Sequence, residues 1–285
     1  MGHTMTIPDP APWLMKFVED SDDGIVKSLP GLLAGFRMIR QRIPDEYRWR
    51  LITDEAFAKH AFTDGDHLNQ VYWYHIARQI EAFGVLAVLR TNEMLAAATT
   101  LLNDKHVLAP AVLARSLLEI AVTFLVDGNY IEHTVKEMLS QIKGNAVVAC
   151  PDLEQRLSQM VHGRRIGDPP KELQKKNVLT HIQWLSRNPN CVELSDRYAY
   201  LCEIAHPNVV GFARFWGDAT DSPNDFSTIT VRGDNEVAHT AHIREQTIWA
   251  ISWSTESIGN MFFKGTDSVR ALVTKFGVPP SEMRA

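Results

Sequence analysis

Glu203 and His206 stand three residues apart in the stretch YLCEIAHPN, Tyr200 to Asn208, at the end of a helical pattern that Pro207 stops. A carboxylate and an imidazole on one helix face can share a proton or a metal ion. The same Glu-x-x-His spacing returns at Glu236 and His239. In di-iron carboxylate bundles two such helices, with one glutamate from each of two further helices, surround the metals. Glu93 and Glu119 fill those two places, so Glu93, Glu119, Glu203, His206, Glu236 and His239 form a di-metal alternative. The order counts against it, because both single-glutamate helices come first in the chain. Plain helix-end roles also account for two members. Glu236 falls in a first turn and His206 in a last turn, where the helix dipole favours their charges. No cofactor is therefore expected, with the di-metal centre as the alternative.

The second anomaly is Arg115 with Glu119, spaced i, i+4 on a helix that is otherwise apolar on nearly every side. A charge removed from water needs a partner. The two can pair with each other. Arg90 and Glu93 interrupt the preceding apolar helix, and an antiparallel hairpin turning near Asp104 would set them alongside. Two readings result: a buried ion network that fixes helix register, or the polar wall of a pocket.

Basic residues gather in two places. FRMIRQRIPDEYRWR carries five arginines between Arg37 and Arg50, and HGRRIGDPPKELQKK carries Arg164, Arg165, Lys171, Lys175 and Lys176. Arg164, Arg165, Lys175 and Lys176 are candidate nucleic-acid contacts, since such clusters touch phosphates; a solvated face is the plainer account. His239 and His242, at i, i+3, are a further candidate metal pair lacking the additional ligands a metal needs. Trp249 and Trp253, at i, i+4, read as a core stripe. The chain contains no Gly-rich phosphate loop, no G-x-S-x-G elbow and no H-E-x-x-H.

The elements that must position these residues are helices. The 285 residues are 45% hydrophobic and 22% charged, with net charge -5, enough for a sizeable core and without a global field for nucleic acid or anionic lipid. Amphipathic or apolar helical patterns cover 32–42, 53–61, a long stretch from about Asp66, a second from Val107 to Gly128, then 130–143, 152–162, 171–186, 194–205, 235–263 and 266–276. Phe226 to Val231 is the one strand signal, rich in β-branched residues. The fold expected is all-α: a helical bundle with a central long antiparallel helical hairpin (about 67–127) and at most one short β-hairpin. Residues 1–64 read as an N-terminal helical addition to a core domain over 65–285. Charges interrupt the apolar stretch from Phe83 to Val126, so no transmembrane helix is expected. Cys150, Cys191 and Cys202 match no zinc or redox spacing, and a cytoplasmic protein with reduced thiols is expected.

LARSLLEIAV (Leu113–Val122) and YAYLCEIAHPN (Tyr198–Asn208) together resemble an uncharacterised bacterial all-helical family. In that family an Arg-Ser-Leu-Leu-Glu helix is followed much later by a tyrosine-containing helix ending in a small residue and His. The likeness spans roughly residues 65–262. It implies that Arg115, Glu119 and His206 form one polar cluster; a HEPN-like module would line its pocket with these and Glu203. Some relatives are similar to HEPN-type helical domains, which implies an RNA- or nucleotide-directed module in bacterial defence or stress. HEPN ribonucleases carry Arg, four to six residues, then His on a helix lining a dimer cleft, and work without metal. Arg156 to His162 and Arg232 to His239 match that spacing, whereas Arg197 lies nine positions before His206. RNA or a nucleotide, and a second copy in a homodimer, are the partners so implied; a membrane is not. The alternative is a non-catalytic interaction or oligomerisation protein whose ion network is structural.

Overall fold

A computed structural model describes residues 6–49, 64–142, 148–164, 166–174, 177–212, 215–221, 227–231 and 238–278. In chain order the elements are α1 (Pro12–Asp20), α2 (Gly24–Lys27), α3 (Leu29–Gln41), α4 (Gly65–Asn103), α5 (Leu108–Gln141), α6 (Pro151–His162), α7 (Val178–Leu185), α8 (Leu194–Ala205), α9 (Val209–Phe212), β1 (Trp216–Asp221), β2 (Ser227–Val231) and α10 (Ala238–Phe276). The all-α expectation holds. The strand signal falls on β2, which pairs antiparallel with β1, Trp216 opposite Val231 and Ala219 opposite Ile229. The helix expected at 53–61 lies outside the described residues.

Helix boundaries follow local chemistry. Pro12 opens α1 and Pro151 opens α6, where a missing N–H costs nothing. The Asp23 carboxylate accepts from the backbone N–H of Ile25 at 2.8 Å and starts α2. Helices α4 and α5 form the expected hairpin, but α5 runs on through Gly128 to Gln141 as one helix, where two were expected. Lys105, with φ of 62°, makes the tight turn between α4 and α5, and the rings of Phe83 and Phe124 meet at 4.9 Å across the pair. Both helices are long and apolar enough to cross a membrane by length and composition, with 50% and 44% of their most apolar windows buried inside the fold. The charges that interrupt them are too sparse to alter that, and the core helix of a soluble protein has the same character.

The chain groups into two compact units, each drawn from three segments. Unit 1 contains Met1–Met38, Thr91–Val122 and Ile182–Glu256; unit 2 contains Ile39–Arg90, Thr123–His181 and Ser257–Ala285. The core of unit 2 is aromatic and aliphatic: Trp73, Ile76, Leu153, Leu157 and Leu272, with Tyr72 and Phe276 packed beside them. Trp73 donates its indole N–H to the Val148 carbonyl, and the Tyr72 hydroxyl accepts from the Cys150 N–H. Aromatic bulk thus comes with its polar handles satisfied.

Unit 1 is built differently. Its buried residues include many small hydroxyls, among them Thr91, Thr99, Thr240, Thr247, Ser252, Ser254 and Thr255. The N-terminal segment is fastened at the tip of the hairpin by Asn103. Its side chain accepts from the Ala11 N–H at 2.7 Å and donates to the Asp9 carbonyl at 2.9 Å, while its carbonyl accepts from the Trp13 indole. Helix α8 is fastened to two neighbours. Arg197 reaches Asp23, Glu193 and Gln246 and lies over the Trp249 ring at 4.4 Å. Tyr198, on another face, reaches α5.

Candidate functional site

The cluster forms where α5 meets α8. Arg115 and Glu119 lie one turn apart on α5 and pair at 3.3 Å. The Tyr198 hydroxyl donates to Glu119 at 2.7 Å. The Arg115 guanidinium sits over the Tyr198 ring, 5.7 Å from its centroid. Two stretches 79 residues apart in sequence thus meet through three side chains.

Their burial is less than the apolar sequence suggests. The side chains of Arg115 and Glu119 are 31% and 35% exposed, so the pair edges the core rather than lying within it. The expected partnership with Arg90 and Glu93 does not form in this way: both are exposed on α4, and the inward residues at that level are Thr91, Asn92 and Leu95. Helical phase explains the correction. Residues 90 and 93 share a face roughly 180° from the one that 91, 92 and 95 turn inward.

Electrostatics bind the cluster together. Burial pushes the Tyr198 phenol well above its usual range, and the Glu119 carboxylate that accepts its hydrogen bond pushes it further; Arg115 opposes both. Burial alone would lower the Arg115 pKa, but the Tyr198 hydroxyl, Cys202 and Glu119 outweigh it and hold the guanidinium charged. Tyr198 and Cys202 are participants that the sequence motifs do not single out. Their signal is the i, i+4 row Tyr198, Cys202, His206, one turn per step along α8.

His206 ends that row. It is the residue after Ala205 that closes α8, extended at φ -89° and ψ 148°, with its N–H on the Cys202 carbonyl and its side chain exposed. Glu203 is exposed as well, and its carboxylate accepts from the Asn208 amide at 2.5 Å. The structure therefore ties Glu203 to Asn208, leaving the imidazole of His206 open to solvent.

The other candidates fall elsewhere. Arg156 and His162 share α6 as the spacing suggests, but Arg156 is held by Asp127 at 2.5 Å and by the Tyr130 face. His162 stacks on Trp49 at 6.0 Å. Arg156 is thus committed to contacts in unit 2, while His162 is exposed. Arg164 is exposed, its backbone N–H on the Leu173 carbonyl; Arg165, Lys175 and Lys176 lie outside the described residues. Of the di-metal set, Glu93 is exposed, Glu119 is taken by Tyr198 and Arg115, and Glu203 by Asn208. Glu236 lies outside the described residues, as does Arg232. Among the described residues no group of three or more His, Cys, Asp or Glu side chains is gathered for a metal. His242 packs its ring edge-on against Tyr200 at 5.0 Å. Trp249 and Trp253 stack at 6.0 Å and are buried, as a core stripe requires.

No protein-family model, curated protein or solved structure matches this chain.

Proposed function

We propose that this protein is a HEPN-like RNA-directed module, acting as a cytoplasmic homodimer in bacterial defence or stress, with Arg115 and His206 as its working residues. The observation that carries the proposal is the Tyr198–Glu119–Arg115 junction. It joins the two stretches that bear the family resemblance, and the helix it anchors ends in an exposed imidazole. The chemistry is metal-free strand cleavage. His206 takes the proton of a ribose 2′-hydroxyl as that oxygen attacks the adjacent phosphorus. The bond from phosphorus to the 5′-oxygen breaks, the leaving oxygen takes a proton from water, and a 2′,3′-cyclic phosphate results. Arg115 supplies a permanent positive charge for the phosphate. Glu119 and Tyr198 fix its position.

Single-stranded RNA incubated with the wild type and with His206→Ala tests this. Cleavage by the wild type and loss of at least a hundredfold in the variant is the expected result, in the range of general acid–base catalysis. Equal products from both, or none from either, overturns the proposal. His206 is exposed, so its removal leaves the fold intact.

One observation favours the non-catalytic reading. Unit 2 holds a second trio of the same kind, Tyr47, Glu81 and Arg78. A trio that recurs is a packing device before it is a site. On that reading His206→Ala changes nothing, and the same RNA experiment decides.

A further inference from the structure

We infer that Asn208 is a positioning residue, holding the end of α8 so that the His206 imidazole faces solvent. This rests on the RNA-directed reading for its chemical meaning, though not for its geometry. Four hydrogen bonds converge on Asn208. Its side-chain amide donates to Glu203 at 2.5 Å, and its side-chain oxygen accepts from the Gly211 N–H at 3.0 Å. Its own N–H donates to the His206 carbonyl at 2.8 Å, and its carbonyl accepts from the Phe212 N–H at 2.9 Å. One residue thus ties the last turn of α8, the backbone of His206 and the first turn of α9.

The turn is closed tightly as well as bonded. A Cβ on Gly211 would lie 2.5 Å from the His206 carbonyl oxygen and 3.0 Å from that of Ile204. Both obstacles are backbone, so neither can swing aside. Gly211 lets α9 pack onto the end of α8, and Asn208 locks the result. A helix ended by proline alone needs neither feature. Pro207 stops α8 and holds the His206 backbone extended, but it does not fix the course of the chain after it.

The geometry also assigns Glu203 a part. Read from sequence it is the partner of His206 in a Glu-x-x-His pair. In the fold its carboxylate is the anchor for Asn208, and it acts on the imidazole only through that turn.

The test exchanges the polarity of one bond. Asn208→Asp keeps the oxygen that Gly211 needs but sets a carboxylate against Glu203. Adding Glu203→Gln restores a donor–acceptor pair with the roles reversed. For RNA cleavage, Asn208→Asp is expected to lower kcat roughly tenfold or more with KM unchanged, as small misplacements of a reacting group do. The double variant is expected to return kcat to within about threefold of wild type, since the bond is remade. Side-chain NMR signals of His206 provide the second readout: shifted or broadened in Asn208→Asp, recovered in the double variant. Unmoved signals in Asn208→Asp, or a double variant no better than the single one, overturn the inference. A wild type without RNA cleavage removes the RNA-directed function itself. The NMR signals alone then judge the positioning.

Discussion

Tyr198 with Glu119 and Arg115 in unit 1, and Tyr47 with Glu81 and Arg78 in unit 2, are nearly the same object. In each, a tyrosine hydroxyl donates to a glutamate, at 2.7 Å and 3.0 Å. In each, that glutamate pairs with an arginine a turn earlier on a long helix, and the arginine lies over the tyrosine ring, at 5.7 Å and 5.2 Å. In each, burial comes first among the causes that push the phenol up, the glutamate adds to it and the arginine opposes it. The trio is therefore a general way to seat a tyrosine at the edge of a helical core. The ring buries apolar area, the hydroxyl finds an acceptor, and the acceptor's charge is neutralised. The difference lies in the element that carries each tyrosine. Tyr47 belongs to an irregular segment, and Arg78 also reaches the carbonyl of Arg48 beside it. Tyr198 belongs to a helix, and the next steps of its row are Cys202 and the exposed His206. The trio cannot by itself mark a site. The row that continues from one of them can.

Alkaline titration is the largest expected perturbation, because it strikes both trios together. Tyr47 and Tyr198 have folded-state pKa values raised above the usual 10, and burial raises that of Tyr72 to about 12. The unfolded chain gives up these protons first. Their contribution to stability is thus whole below pH 10 and declines as pH rises toward 12 and beyond. Phenolate absorbance followed against unfolding should show several tyrosines titrating only as structure is lost. One of Tyr47 and Tyr198 titrating near pH 10 in the folded protein while the other does not would break the equivalence of the trios.

Next comes the turn that only the α8 trio possesses. Gly211→Ala forces backbone apart at the end of α8 and is expected to cost about 1–3 kcal/mol, the usual range for overpacking. Thermal unfolding measures it. Hydrogen exchange should place the loosening at α8 and α9 and leave Trp73 and its surroundings protected, since they belong to the other unit.

Much of this fold was legible in the sequence. The apolar run from α4 through α5 has helical period throughout, and Asp104 to His106 interrupts it with turn residues, so the hairpin could be read directly. β2 announced itself by STITV; β1, with WGDATD, has no such composition and forms because β2 offers a partner. The halves of the long helices that belong to separate units were only partly legible: the polar pair Thr91–Asn92 suggests a break where the units divide, though α4 stays continuous, and nothing in the period changes at Val122. The candidate site was half legible. The i, i+4 pair Arg115 and Glu119 stood out against apolar neighbours, yet the phase of Arg90 and Glu93 was beyond reach without knowing which face of α4 is covered. Tyr198 was hidden for a different reason: a tyrosine in a helix reads as core, and only the fold brings its hydroxyl to Glu119. Glu203 misled, since its spacing from His206 resembles a ligand pair while its bond goes forward to Asn208.

Removing one hydroxyl from each trio compares them on equal terms. Tyr47→Phe and Tyr198→Phe each delete one donor and leave the ring. Each should cost about 1 kcal/mol, the net worth of one such hydrogen bond. Similar losses in thermal stability would confirm that the two are the same clasp. On the proposed function, activity should then separate them: RNA cleavage unchanged in Tyr47→Phe and reduced in Tyr198→Phe, where Glu119, the partner of Arg115, loses its hydrogen bond. Equal effects of both on cleavage would show that stability alone was being read.

Salt is expected to move both trios least, and it sharpens what kind of clasp they are. Glu81 and Glu119 are 39% and 35% exposed, so solvent already screens both ion pairs. Raising ionic strength from about 0.01 M to 1 M shrinks the screening length from roughly 30 Å to 3 Å. Pairs in contact at a half-exposed edge lose only a few tenths of a kcal/mol under that change. The tyrosine hydrogen bond and ring burial are insensitive to it. Double-mutant cycles on Tyr198 with Glu119, and on Tyr47 with Glu81, should therefore return coupling energies that hold steady across salt. Cycles on Arg115 with Glu119 should return smaller ones that decline. A Tyr198–Glu119 coupling that vanished at high salt would mean the trio is held by charge alone, and the phenol would then be a bystander on the way to His206.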